Sequence, residues 1–376
     1  MKILITGDFF ISDPFRGKDL LSPSVKALFA AADHRIVNLE APVTAGEKKD
    51  RILKTGPHLG AAKETVIPFL RKLGVDLVTL ANNHIMDYGG PGLDETLMNL
   101  SGAGIGTVGA GRDGAEAAAP FVLEGDGQRV AVLNFSENEW ASAGRDRAGA
   151  NPYDAVENLK QIREARRSCE RVIVIVHGGQ EDYPFPSPRM VREYRFYAEN
   201  GASAVIGHHP HCISGFEVHQ GSPIFYSLGN FLFTLPSEFD WWYTGLVLSL
   251  HLGRGTGISW ELAPVAFSKT DFSLTRLEGE AEACARREVE RYSAIIADDK
   301  LLDQEWESFL TRYGRYYLNV FSPLSFIRND RVKTGLTKLG LDRLFMARAH
   351  YAMILNTIRC ESHAEAAKAV IDRFLK

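Results

Sequence analysis

At 376 residues the chain is longer than one hydrophobic core usually supports, so a large domain with an appendage is expected. Its 45% hydrophobic and 24% charged residues are those of a globular protein and exclude a disordered or fibrous chain. A formal net charge of −4 excludes bulk affinity for nucleic acid.

Cys169, Cys212, Cys284 and Cys360 stand far apart without a CxxC pair, as reduced thiols of a cytoplasmic protein would. "MKILITGDFF" enters a strand pattern at its third residue, leaving no space for an export leader, and no apolar run reaches the ~18 residues of a membrane span. The expected location is cytoplasmic, with no membrane span.

In chain order, "KILIT" (2–6), "RIVNL" (35–39) and "VDLVTLA" (75–81) read as buried strands. They alternate with helical spacing over 61–74 and 92–104. Residues 120–135 form two strands around an Asp-Gly turn, a hairpin. A helix over 154–169 then leads to strands "RVIVIV" (171–176) and "ASAVIG" (202–207). Strand patterns follow at 222–233, 244–252 and 258–267. The alternation predicts an α/β layered architecture over 1–278. From 279 to 376 the chain turns charged and helical, a C-terminal helical appendage whose last part, 321–376, holds ten Lys/Arg against five Asp/Glu.

Polar residues recur where the strand patterns stop. Asp8 ends the first, Asn38 and Glu40 the second, and "ANNHIMD" supplies Asn82, Asn83, His84 and Asp87 after the third. His177 and Glu181 follow "RVIVIV", and "GHHPH" places His208, His209 and His211 after "ASAVI". Side chains beyond the carboxyl ends of neighbouring strands converge on one crevice. Asp8, Glu40, Asn83, His177, His209 and His211 make an oxygen and nitrogen donor set that suits divalent Mn, Fe or Zn. Glu40 could bridge two ions, Cys212 is a thiolate candidate or a buried filler, and His84 with Asp87 could act as a general acid. In "RILKTGPHLG" (51–60), Arg51, Lys54 or His58 could meet an anionic group, and the aromatic stretch 235–245 could form a rim.

The motifs "GDFF", "NLE", "LANNHIMDYG", "VHGGQEDY", "GHHPH" and "YSLGNFLF", in this order over residues 1 to about 265, carry a resemblance. The sequence resembles the bacterial capsule-synthesis CapA family, the poly-γ-glutamate synthesis proteins, which looks like a branch of the calcineurin-like metallophosphoesterases. The resemblance implies a layered β-sandwich flanked by helices holding one or two divalent ions. It implies Asp8, Glu40, Asn83, His177, His209 and His211 as ligands, with Glu40 at the bridging position and His84 as the acid. Phe10 departs from the pattern, because a metal-binding His is expected there. Asn38, Asn82, Glu181, His208 and Lys54 remain as candidates for substrate contact. Three functions follow: a phosphoester hydrolase, an amide-bond hydrolase or transferase on a glutamate-containing substrate, or a non-catalytic accessory protein of anionic polymer synthesis. In each, the partner is a small molecule or polymer with anionic groups.

Overall fold

The computed structural model describes residues 1–320 except 55, 254 and 256, together with 327, 329–341, 354 and 358. Most of the basic stretch 321–376 lies outside the described residues. The chain opens with β1 (Lys2–Phe10), α1 (Pro23–Ala30), β2 (His34–Leu39), α2 (Lys63–Lys72), β3 (Leu77–Thr79), α3 (Gly89–Gly102) and β4 (Gly106–Val108). Short β5 (Ala110–Gly111) and α4 (Gly114–Ala118) precede the hairpin of β6 (Phe121–Gly125) and β7 (Gln128–Ser136). Next come β8 (Gly149–Ala150), α5 (Ala155–Ser168), β9 (Arg171–His177), α6 (Pro188–Glu199) and β10 (Ala204–His208). The strands end with β11 (Phe216–His219), β12 (Ser222–Phe225), β13 (Asn230–Phe233), β14 (Thr244–Leu252), β15 (Ile258–Phe267) and β16 (Leu274–Arg276). Helices α7 (Gly279–Ile296), α8 (Asp299–Val320) and α9 (Asp330–Lys338) follow.

Helix starts obey local chemistry. Ser22 and Ser187 each accept a backbone N–H at the start of α1 and α6, with proline in the first turn, and Asp154 caps α5.

An 8-stranded sheet runs β16–β15–β14–β1–β2–β3–β4, with β13 alongside β1. A 6-stranded sheet runs β11–β12–β10–β9–β7–β6. Leu4, Val37 and Val78 join the core under α1, α2 and α3, with Phe29, Phe69 and Leu97 from those helices. Ile3, Ile5, Ile36 and Leu77 alternate with them and are equally buried outside that cluster, so both faces of the first sheet are covered. Helices α5 and α6 pack on the second sheet, giving the expected α/β layers.

By contacts the chain divides into Met1–Asp303 and Gln304–Lys376. The first unit includes α7, which packs against β11 and β15. The described part of the second consists of the rest of α8, α9 and a few residues beyond. Among the described residues no helix is long and apolar enough to cross a membrane.

Residues 222–233, one strand by pattern, are two. β12 pairs with β10 in the second sheet and β13 with β1 in the first, so the chain changes sheet across Tyr226–Gly229. Gly229 adopts φ 64° there, a conformation that glycine takes without strain. The crossing brings backbones close together. The Leu228 N–H donates to the Gly207 carbonyl at 3.3 Å, and the Asp8 N–H donates to the Gly229 carbonyl at 2.9 Å.

That contact requires Gly7, because a Cβ there would lie 1.8 Å from the Gly229 oxygen. Gly7→Ala should therefore push β13 from β1 and cost more than about 3 kcal/mol. Gly102→Ala, with nothing within 4 Å of the added carbon, should be neutral or mildly stabilising. Urea denaturation of both variants checks the contrast.

Candidate metal centre

The parallel register sets the site. Asp8 pairs with Asn38, Asn38 with Thr79, and His177 with His208, so strand ends of both sheets stop at matching levels. Asp8 is fully buried and its carboxylate accepts from the Asn38 amide at 2.6 Å and from the His209 N–H at 3.2 Å. Asn38 in turn accepts from the Thr79 hydroxyl at 3.0 Å and lies 3.3 Å from His177 Nδ1. Asn38 thus orients Asp8 and His177 from beneath.

Glu40 is also fully buried, and among the described residues neither carboxylate oxygen has a hydrogen-bond partner. Its Oε1 faces His177 Nε2 and His211 Nε2, both at 3.6 Å. His177 Nε2 further faces Asn83 Oδ1 at 3.2 Å and His209 Nδ1 at 3.1 Å. His211 Nδ1 lies 2.8 Å from Asn230 Oδ1 and 3.4 Å from Asp8 Oδ2. All six residues expected as ligands are therefore gathered in one place. His209 and His211 hold φ of 96° and 56°, left-handed conformations that cost non-glycine residues roughly 1–3 kcal/mol each.

Three groups could each hold a cation: Glu40–His177–His209, Asp8–Glu40–His211, and Glu181–His209–His211. The first two share Glu40. A buried carboxylate without a donor is costly, and a cation bound between those imidazoles would relieve it. Burial, followed by the charges of Asp8, Glu181 and Glu139, pushes the Glu40 carboxyl well above the carboxylate range. Burial and the neighbouring imidazoles hold His177 well below its usual value, which leaves it neutral and able to donate a lone pair.

His84 belongs to none of these groups. Its Nδ1 lies 2.7 Å from Asp87 Oδ2 and its Nε2 4.0 Å from Glu40 Oε1, so the outer nitrogen faces the cluster. Burial lowers the His84 pKa, and the hydrogen bond with Asp87 works against that shift. Lys54 is not free at the mouth. Its side chain is only 2% exposed, with the ammonium 2.5 Å from Asp87 Oδ1 and 3.0 Å from His84 Nδ1.

Arg51 binds the Tyr88 hydroxyl and His58 the Ile52 carbonyl. Asn82 fixes the loop, its amide donating to the Leu39 carbonyl and its oxygen accepting from the His84 N–H. His208 turns away to the Thr6 carbonyl at 2.8 Å. Burial pushes the Cys212 thiol far up, so it is no thiolate. Phe10 sits in the hydrophobic core against Phe233. From the aromatic stretch, Trp242 packs tilted against the His211 ring, with centroids 4.7 Å apart.

Two neighbours escaped the sequence reading. Asn230 follows Gly229 inside an apolar run, a polar residue that signalled its position. Glu139, whose Oε1 lies 3.9 Å from His209 Nε2, follows the apolar run of β7 as the other site residues follow theirs.

Residues 2–235, which include every one of the candidate ligands, match the model of the bacterial capsule synthesis protein PGA_cap. The chain belongs to this family. It is 32% identical over 256 residues to the PGA biosynthesis protein CapA of Bacillus subtilis (strain 168), covering 66% of each. Over 224 residues it is 33% identical to the capsule biosynthesis protein CapA of Bacillus anthracis, covering 58% of this chain and 54% of that one. A probable polyglutamine synthesis accessory protein of Mycobacterium tuberculosis (strain ATCC 25618 / H37Rv) is 33% identical over 215 residues, 53% of this chain and 55% of that one. The match thus spans between half and two thirds of these relatives' lengths. A hypothetical protein from Thermus thermophilus superposes with a TM-score of 0.43 at 19% identity, over 70% of this chain and 99% of that one.

The folded pKa of Glu40 lies above its unfolded value, so the metal-free protein loses stability as pH rises from about 4.3 through the raised value. Glu40→Gln should remove that loss. In chelator, the variant should gain on the order of 1–3 kcal/mol over wild type at pH 8, and less at pH 5. Added Mn²⁺ should raise the melting temperature of wild type and not of the variant. Thermal melts at both pH values check this.

Proposed function

We propose that this capsule-synthesis family member is a metal-dependent hydrolase acting on a phosphoester of an anionic substrate. The observation that carries the reading is Glu40, a buried carboxylate without a hydrogen-bond donor that two histidine-containing ligand groups share. Asp8, Glu40, Asn83, His177, His209 and His211 would hold one or two ions. Bound divalent ions supply Lewis acidity, which activates water near neutral pH and offsets charge on the reacting group.

The chain's own residues supply the proton. Asp87 holds the His84 ring through Nδ1 and opposes the larger effect of burial, which disfavours the protonated imidazole. In its protonated form Nε2 would present a proton to the departing oxygen. Lys54 occupies the other Asp87 oxygen, and the Leu59 N–H donates to Oδ2 at 2.7 Å, so the carboxylate that orients His84 is itself fixed.

A second reading is favoured by the relatives named for PGA biosynthesis and polyglutamine synthesis. It places the same activated water on an amide bond of a glutamate-containing polymer, as hydrolase or transferase. The accessory role in the name of the mycobacterial relative is the non-catalytic alternative.

His84→Asn should retain its metal and lose about 10²–10⁴ in kcat on an alkyl phosphoester, whose leaving group needs a proton. The loss should be smaller on an aryl phosphoester. His177→Asn should lose metal and depress both substrates alike. Metal analysis with steady-state kinetics on both esters, and on a γ-glutamyl amide for the second reading, checks these outcomes. Wild-type protein that binds metal yet turns over no ester and no amide supports the accessory role.

A further inference from the structure

Glu181 stands outside the two ligand groups that share Glu40, yet it completes a third with His209 and His211. The overlap is ordered. His209 also belongs with Glu40 and His177, and His211 also belongs with Glu40 and Asp8. Glu40 therefore meets both positions from the fully buried side, while the exposed Glu181 meets one histidine of each. Its charge reaches Glu40 as well, adding to the effects of burial and Asp8.

The backbone beside Glu181 is tied to the histidine turn. The Asp182 N–H donates to the Pro210 carbonyl at 3.0 Å, between His209 and His211. Asp182 also accepts from the Trp241 indole at 3.0 Å. Gly179, at φ 119°, donates its N–H to Glu137 at 3.2 Å on the other side. An ordinary surface carboxylate would be solvated with no partner in particular. This one is anchored on both flanks beside two buried imidazoles in strained conformations.

The exposed side of such a cluster is where water and the anionic group of a substrate must bind. A carboxylate there offers the same kind of oxygen donor as that group. Resting on the metal-centre reading above, we infer that Glu181 is a displaceable ligand. It closes the exposed side of the cluster in the resting protein and yields that position to a phosphate or carboxylate of the substrate. Glu40, without access to solvent, stays in place. The arrangement selects for substrates with an anionic group that competes with one carboxylate, and it disfavours neutral esters.

The test uses the full chain, Mn²⁺ and inorganic phosphate. Mn²⁺ is titrated calorimetrically into chelator-treated wild type and Glu181→Gln, and phosphate is then titrated into each at saturating Mn²⁺. The exposed position should tolerate the change, which equal melting temperatures of the metal-free proteins would establish. Glu181→Gln should bind Mn²⁺ at least about tenfold more weakly. Once loaded, it should bind phosphate several-fold more tightly than wild type. Unchanged Mn²⁺ affinity would overturn the inference. Weakened Mn²⁺ binding without tighter phosphate binding would also overturn it, since Glu181 would then be a fixed ligand. If wild type takes up no Mn²⁺ at all, the metal-centre reading fails and this inference with it, an outcome distinct from either of the others.

Discussion

A single carboxylate sets the terms for the rest of the molecule. Glu40 sits at zero exposure with no donor to either oxygen among the described residues, beside the buried carboxylate of Asp8. Two such groups side by side are unfavourable unless a proton or a cation comes between them. Much of the surrounding structure supports that unfavourable placement. Asn38 and the His209 N–H satisfy Asp8, Asn230 steers His211, and two histidines accept left-handed backbone so that their rings can approach. Burial of both faces of the first sheet offsets these costs.

On the proposed reading, cation and proton functions are separated in space. His177, His209 and His211 cluster around Glu40, whereas His84 stands at the edge with its own carboxylate, Asp87. Lys54 lies on the His84 side. Its ammonium pairs with Asp87 inside the protein, although its charge also reaches Glu40 and His84. On that reading, two candidate metal-binding positions and one acid share a small volume.

Much of this was legible in the sequence, for a physical reason. A parallel strand is apolar along its length, so a sudden Asp, Glu or His marks its carboxyl end, and those ends lie side by side. Asp8, Glu40, His177 and His209 were readable in that way. Phe10 was readable as a departure, although its place in the core against Phe233 was not. Glu139 was hidden because β7 reads as half of a hairpin with β6, while it also runs parallel to β9. The change of sheet at Tyr226–Gly229 was hidden because both flanking strands are apolar and equally buried. Lys54 lies on a loop without periodicity, and only the fold shows that its charge points inward.

The pairing of β1 governs how the molecule comes into being. Its first half pairs with β14, Lys2 opposite His251, and its second half with β13, Asp8 opposite Asn230. This strand thus waits for partners made more than two hundred residues later. Local helices and the β6–β7 hairpin can form as the chain emerges, but the central strand of the larger sheet closes only once β13 and β14 have been made. Until then Asp8 and Glu40 are exposed, hydrated and harmless. The charges stay in water until strands from far along the chain arrive to bury them.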